Sequence, residues 1–254
     1  MTMNDITDRQ HYVEAMRKTL DQKLFFMDKL DPDFILDFGC ADGALVEAAL
    51  GIKPEMVAWG YDNDSEMIKD VSEYGKGLYT IDLKLALQCA KEARGTRVLV
   101  LSSVLHEIYS ACGHDEIRTL WKNIQEVGFD FIVVRDMLYD STSEYSLDLE
   151  VSAIFDKEPV KAKHFEKVWG SLRIRQNFVH FLLTYRYTEN WDREVEEDYL
   201  SINRHELLET FKLIGYQFEY WEQHNIHFIK KSIHDDFFIR LDDNTHVKAI
   251  FKKK

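Results

Sequence analysis

The sequence predicts an α/β fold, a doubly wound and mostly parallel sheet, on three observations. Apolar runs of strand length alternate with segments of helical period. Several of those runs end in an acid. The first is followed at once by a glycine-spaced turn and a helix-forming segment: Phe34-Ile35-Leu36-Asp37-Phe38-Gly39-Cys40-Ala41-Asp42-Gly43 leads into Ala44-Leu45-Val46-Glu47-Ala48-Ala49-Leu50. That unit reads as a buried strand, a tight loop and a helix N-terminus, the form of a nucleotide-cofactor cradle. Gly39 and Gly43 lack a Cβ, so a ligand can come close, and free amides at the helix start point into the same space. Asp37 sits at the carboxyl end of the strand, where open α/β sheets bind their ligands.

Ahead of this unit, Tyr12, Ala15, Met16, Leu20, Leu24, Phe25 and Met27 recur at roughly helical spacing until Asp31-Pro32 breaks the pattern. Residues 1–30 are therefore a leading helical segment, from which Lys18 and Lys23 can reach inward. After the first helix, Met56-Val57-Ala58-Trp59-Gly60-Tyr61-Asp62 is a second buried strand. Asp62 lies 19 residues past Gly43, where nucleotide-binding α/β units place a carboxylate on the ribose hydroxyls, with Asn63 beside it. Gly77-Leu78-Tyr79-Thr80-Ile81-Asp82 is a third strand, and residues 83–93 return to helical period.

Arg97-Val98-Leu99-Val100-Leu101 is the clearest strand, and Ser102-Ser103-Val104-Leu105-His106-Glu107 follows it. Histidine titrates near neutral pH and can take a proton from a hydroxyl or amine, and an adjacent carboxylate can orient it or act on its own. Adjacent residues point differently, so one of the pair should face the substrate. Phe129-Asp130-Phe131-Ile132-Val133-Val134-Arg135-Asp136 is the fifth strand, with Arg135 and Asp136 ending it on the side of the other motifs. His106, Cys112, His114, Asp115 and Glu116 match no zinc spacing, and no metal is expected.

The 254 residues allow one α/β domain with an insertion. Hydrophobic content of 45% and charged content of 30% describe a globular protein. A net charge of -13 and a pI near 5.2 disfavour unspecific binding to polyanions. Cys40, Cys89 and Cys112 are odd in number and far apart, which suggests a reducing cytoplasm. No basic region followed by an apolar run opens the chain, and no stretch approaches about 18 apolar residues, so no membrane partner is expected.

Residues 138–205 depart from the alternation and read as an inserted cap or acceptor-binding region. Seven basic residues and two acids give residues 157–187 a net of +5, whereas eight acids and two arginines give residues 189–209 a net of -6. The two blocks can attract each other as solvated faces. Alternatively the basic block, interleaved with Phe165, Trp169, Phe178, Phe181 and Tyr185, holds a phosphate-bearing or nucleic-acid acceptor. A sixth strand around Tyr216 to Trp221, a short helix carrying Ile226, Ile229 and Ile233, and a final strand over residues 245–251 close the chain. His224, His227 and His234 read as loop or surface residues.

The spacing Asp37-x-Gly39-x-Ala41-x-Gly43 resembles the first motif of the class I S-adenosylmethionine-dependent methyltransferases, acid-x-Gly-x-Gly-x-Gly, with Ala41 in place of the middle glycine. The runs 101–109 and 134–137 are also similar to uncharacterised methyltransferases of bacteria and bacteriophages. The resemblance covers residues 34–136 and 206–252. It implies a seven-stranded sheet with an antiparallel last strand and helices on both faces, built from residues 31–137 and 206–254, with residues 1–30 as a lid.

It further implies S-adenosylmethionine as cofactor, held by Asp37, Gly39, Cys40, Ala41, Gly43, Asp62, Asn63, Ser102 and Ser103. Asp82 would accept from the adenine amino group, with Ile81 against the ring. The loop after strand four faces the transferring methyl group in this family, which makes His106 and Glu107 the catalytic candidates. No Asn/Asp-Pro-Pro-Tyr signature surrounds Pro32, Pro54 or Pro159, and no cysteine pair suggests attack on a pyrimidine. A small metabolite or nucleotide is the favoured acceptor. RNA or protein is the alternative, as is a non-catalytic binding module of the same fold.

Overall fold

The apolar runs become strands β1 (Phe34–Phe38), β2 (Val57–Tyr61), β3 (Leu78–Thr80), β4 (Arg97–Ser102), β5 (Phe131–Met137), β6 (Tyr216–His224) and β7 (His246–Lys253). The computed structural model describes residues 19–140 and 146–254. The strands form one seven-stranded sheet in the order β3-β2-β1-β4-β5-β7-β6. β1 pairs in parallel with β2 and β4, and β7 runs antiparallel to both β5 and β6. The order reverses between β1 and β4, and at such a switch point the loops leaving the two strands diverge and open a crevice.

Continuous apolar runs formed strands here because both sheet faces are covered. Every residue of β1 is buried. One face packs Phe34, Leu36 and Leu99 against helices α5 (Leu83–Glu92), α7 (His114–Val127) and α12 (Arg204–Leu213). The other packs Ile35, Val98 and Val133 against α3 (Ala44–Ile52) and the short α2 (Met27–Leu30). Burial of a side chain such as Ile35 or Leu36 contributes about 1.5–3 kcal/mol. Before α2, the described residues hold one further short helix, α1 (Leu20–Lys23); Tyr12, Ala15, Met16 and Lys18 lie outside the described residues.

Residues 146–205 carry α8 (Asp148–Lys157), α9 (Pro159–Trp169), α10 (Arg175–Thr184) and α11 (Trp191–Glu194) around an apolar centre of their own. Phe165, Phe178 and Phe181 are fully buried there. Ile229, Ile233 and Phe237 of α13 (His227–Phe237), the connection between β6 and β7, join the same centre. This part of the chain, grouped by sequence with the sheet, is thus shared with the insertion. No helix among the described residues is long and apolar enough to cross a membrane.

The two charge blocks do not pair mainly with each other. Arg173 meets Asp148, Arg175 meets Asp243, and the Lys161 ammonium donates to the carbonyl of Tyr185. Acids of the second block gather instead around Arg193 and His106.

Candidate active site

The loop after β1 turns on Gly39 at φ +78, and a Cβ there would lie 2.7 Å from Val104 Cγ2. This close approach brings the β1 loop against the β4 loop and leaves a cavity of about 300 Å³ beside them. Its lining takes Gly39 and Ala41 from the first loop, Asp62 and Asn63 from the end of β2, and Ser103 and Val104 from the end of β4. Leu83, Ile108, Ile117 and Leu120 supply an apolar wall. Asp62 is 4% exposed and ties the loops together: Oδ2 accepts from the Ala41 amide at 2.8 Å and Oδ1 from the Asp64 amide at 3.0 Å. Each oxygen keeps a second lone pair. Burial raises the Asp62 pKa, against the opposing pull of those amide bonds.

Asp37, Cys40 and Ser102 lie behind the loop, around a much smaller cavity of about 20 Å³ shared with Lys23. Lys23 points inward from α1 and is itself buried. Burial lifts the Asp37 carboxyl to about 7, although the Lys23 charge opposes the rise. Burial, with the nearby Arg135 charge, lowers Lys23 to about 8. Gly43 starts α3, and a Cβ there would meet the Tyr79 ring at 2.7 Å. Ile81 and Asp82 do not line the large cavity. β3 ends at Thr80, Ile81 is 55% exposed, and Asp82 caps α5 by accepting from the amides of Lys84 and Leu85. Leu83, one residue further, occupies the wall.

A second cavity, of about 200 Å³, lies on the insertion side. Ser103 and Glu107 line both cavities. Ser103 holds a left-handed φ of 57°, a strained conformation for a residue with a Cβ. Its amide donates to the carbonyl of Arg135 at 2.7 Å, and its Oγ accepts from Arg135 Nη1 at 2.8 Å.

His106 opens α6 (Leu105–Ala111) and is 6% exposed. Its Nδ1 is 2.6 Å from Asp136 Oδ1, and its Nε2 is 3.3 Å from Glu197 Oε1. Burial opposes a charge on the ring, but Asp136 and then Glu197 outweigh it and hold the pKa well above its ordinary value. His106 thus lines the second cavity with each ring nitrogen facing a carboxylate. Asp136 fixes the whole start of α6, because Oδ2 also accepts from the amides of Val104 and Leu105 at 2.9 and 2.7 Å.

Glu107, 27% exposed, faces the junction of the cavities. Burial and the Glu197 charge raise its carboxyl to about 7, against the pull of His106 and Arg193. Arg193 reaches Glu107 at 3.8 Å, Glu197 at 3.4 Å and Glu194 at 2.7 Å. The Tyr199 hydroxyl donates to Glu194. His106, Glu107 and Glu197 bring one donor atom each within 4.8 Å of one another, a different group from that inspected in the sequence, and Arg193 already balances its carboxylates.

Sequence reasoning missed Tyr187, Arg193, Glu194, Glu197 and Tyr199 and had Arg186 only as part of the basic block of residues 157–187; all six line the second cavity. Arg193, an isolated cation within a run of acids, was the available signal. His224 ends β6 and is partly buried, and His246, at 3% exposure, lines the cavity.

No protein-family model matches the chain, and no curated protein matches its sequence. Solved structures do resemble it. The mitomycin 7-O-methyltransferase MmcR aligns over 99% of this chain and 59% of its own, at 12% identity and a TM-score of 0.52. This chain therefore spans less than two thirds of that protein. The plantazolicin methyltransferase BamL, solved with a triazolic desmethylPZN analog and SAH, aligns over 96% and 88%, at 10% identity and a TM-score of 0.55. Magnesium protoporphyrin IX methyltransferase (ChlM) from Synechocystis PCC 6803, with bound SAH, aligns over 95% and 84%, at 8% identity and a TM-score of 0.50. With the seven-stranded topology and the open β1 and β4 loops, these likenesses give the chain the fold of the class I S-adenosylmethionine-dependent methyltransferases.

Proposed function

We propose that this chain binds S-adenosylmethionine in the larger cavity and transfers its methyl group to a small acceptor in the insertion-side cavity. The observation that carries this reading is the shared wall: Ser103 and Glu107 line both cavities, so donor and acceptor meet beside a carboxylate. The residues fit the cofactor. Asp62 keeps acceptor capacity for ribose hydroxyls, and Leu83, Ile108 and Leu120 offer an apolar surface for adenine. Asp37 Oδ1 and Ser102 Oγ are buried without a hydrogen-bond partner among the described residues, which suits a cationic amino group arriving through the adjoining loop.

When bound, the cofactor supplies a methyl group already activated by its sulfonium centre, so alignment and exclusion of water dominate the protein's task. Glu107 takes the proton from an acceptor hydroxyl or amine, its pKa near 7 being matched to that role. His106 acts as a fixed cation that positions Glu197 and, with Arg193, keeps the acidic wall from repelling Glu107's charged form.

A small acceptor is favoured by the size of the cavity, about 200 Å³, and by neighbours in fold that are named for mitomycin, plantazolicin and magnesium protoporphyrin IX. RNA has less to bind, because Phe165, Phe178, Phe181 and Tyr185 are buried rather than offered for stacking. Calorimetry with S-adenosylmethionine and S-adenosylhomocysteine tests the reading. Binding of both is expected, and no heat from either at near-millimolar concentration contradicts it. Tight binding without turnover over a broad acceptor panel supports a binding module instead.

A further inference from the structure

We propose that the acceptor carries a carboxylate, bound by the guanidinium groups of Arg135 and Arg186 on the insertion-side cavity; the proposal rests on the methyl-transfer reading. Arg135 is 5% exposed and lines this cavity. Nη1 donates to Ser103 Oγ at 2.8 Å, whereas Nε and Nη2 are buried with no hydrogen-bond partner among the described residues. Asp136, the adjacent acid, acts on Arg135 through its charge. Its oxygens are already taken by the amides of Val104, Leu105 and Met137 and by His106.

Arg186 enters the same cavity just past the end of α10, and its Nε is likewise buried without a hydrogen-bond partner among the described residues. The rings of Tyr187 and Phe228 lie 5.7 and 5.5 Å from its guanidinium carbon. A buried charged donor with no acceptor is costly to the fold. Two such groups lining one cavity point to a ligand that supplies the missing oxygens.

The remaining charges of the cavity are already engaged. Glu197 meets His106 and Arg193, Glu194 meets Arg193 and Tyr199, and Glu107 lies near Arg193. His246 between the walls stays neutral, because burial, then Arg135, His224, His106 and Arg186, push its pKa well below the ordinary value. Among the described residues, the glutamates of the cavity thus have counter-cations, whereas Arg135 Nε and Nη2 and Arg186 Nε have no hydrogen-bond acceptor. Leu183, Ile226 and Ile229 complete it with apolar surface for the body of the acceptor.

A carboxylate fits better than a phosphate. The planar fork of arginine takes both carboxylate oxygens, and the three glutamates opposite disfavour a dianion. The carboxylate is also not the cofactor's own, since neither arginine lines the larger cavity.

The test is calorimetric titration of benzoate, benzamide and phenyl phosphate into protein saturated with S-adenosylhomocysteine. Benzoate should bind at least about tenfold more tightly than benzamide, and Arg186→Met and Arg135→Met should each weaken benzoate by about tenfold or more. S-Adenosylhomocysteine affinity should change by less than about threefold in the same variants. Arg135 is deeply buried, so Arg186→Met, checked by thermal unfolding, carries the test if Arg135→Met fails to fold. Equal binding of benzoate and benzamide overturns the proposal. So does tighter binding of phenyl phosphate, or a loss confined to S-adenosylhomocysteine. If S-adenosylhomocysteine itself does not bind, the methyl-transfer reading fails separately, and the benzoate titration is read on the ligand-free protein.

Discussion

Along the larger cavity, the groups that shape the site are backbone turns at Gly39, Ala41 and Ser103 and one carboxylate, Asp62, tied to two amides. Across the shared wall, the second cavity is shaped by side chains that hold one another: Asp136 on His106, His106 on Glu197, and Arg193 on three glutamates. The contrast teaches where the site is robust. A cradle built by backbone fails locally when one side chain is removed, whereas a mutually satisfied network loses more than the pair that was cut.

The largest effect should follow from cutting the network at its anchor. Asp136→Ala leaves the His106 cation and three amides without their acceptor and should lower stability by about 3–5 kcal/mol in chemical denaturation. The clamp also has a pH window. Asp136 has a lowered pKa and His106 a raised one, so the carboxylate contribution is lost as pH falls and the imidazolium contribution as pH rises. Both are fully present between the unperturbed values, roughly pH 4 to 6.5. A denaturation midpoint for Asp136→Ala equal to that of wild type would break the contrast.

Glu107→Gln should come next, reducing kcat by about hundredfold or more while cofactor affinity stays within about threefold. Because the base must be ionised and its pKa is raised to about 7, wild-type kcat/KM should climb with pH through that value. The Gln variant should lose the climb. A flat wild-type profile would remove Glu107 from the chemistry.

On the cradle side the expected loss is smaller. Asp62→Ala should weaken S-adenosylhomocysteine binding by about 1.5–3 kcal/mol in calorimetry. An unchanged affinity would mean that Asp62 serves only the loops. The smallest effect is for dialysis against a chelator, which should leave methyl transfer unchanged, because His106 and Arg193 already neutralise the carboxylates a metal would use. Loss of activity restored by a divalent cation would reassign that cluster.

The same contrast decides what could be read from sequence. Strand, acid and spacing coincide at Asp62, and the glycine-spaced turn gives the cradle, because both are local. Asp82 is placed differently for a local reason too: β3 is short, and the acid caps a helix outside the lining of the larger cavity. His106 could be found but not interpreted, since its partners stand 30 and 91 residues further on, at Asp136 and Glu197. Nothing in the periodicity of residues 189–209 shows that Arg193 and Glu197 turn inward, and their density of charge reads as a solvated face. Arg135 was visible at the end of the fifth strand, but its unmet donors are a property of packing alone.

The most direct test of the account is transfer of labelled methyl from S-adenosylmethionine into a cell extract separated into small-molecule, RNA and protein fractions. The account predicts label in the small-molecule fraction, on material retained by an anion exchanger. Label found only in RNA, and lost on charge reversal of Lys161, Lys163, Arg173 and Arg175, would contradict it.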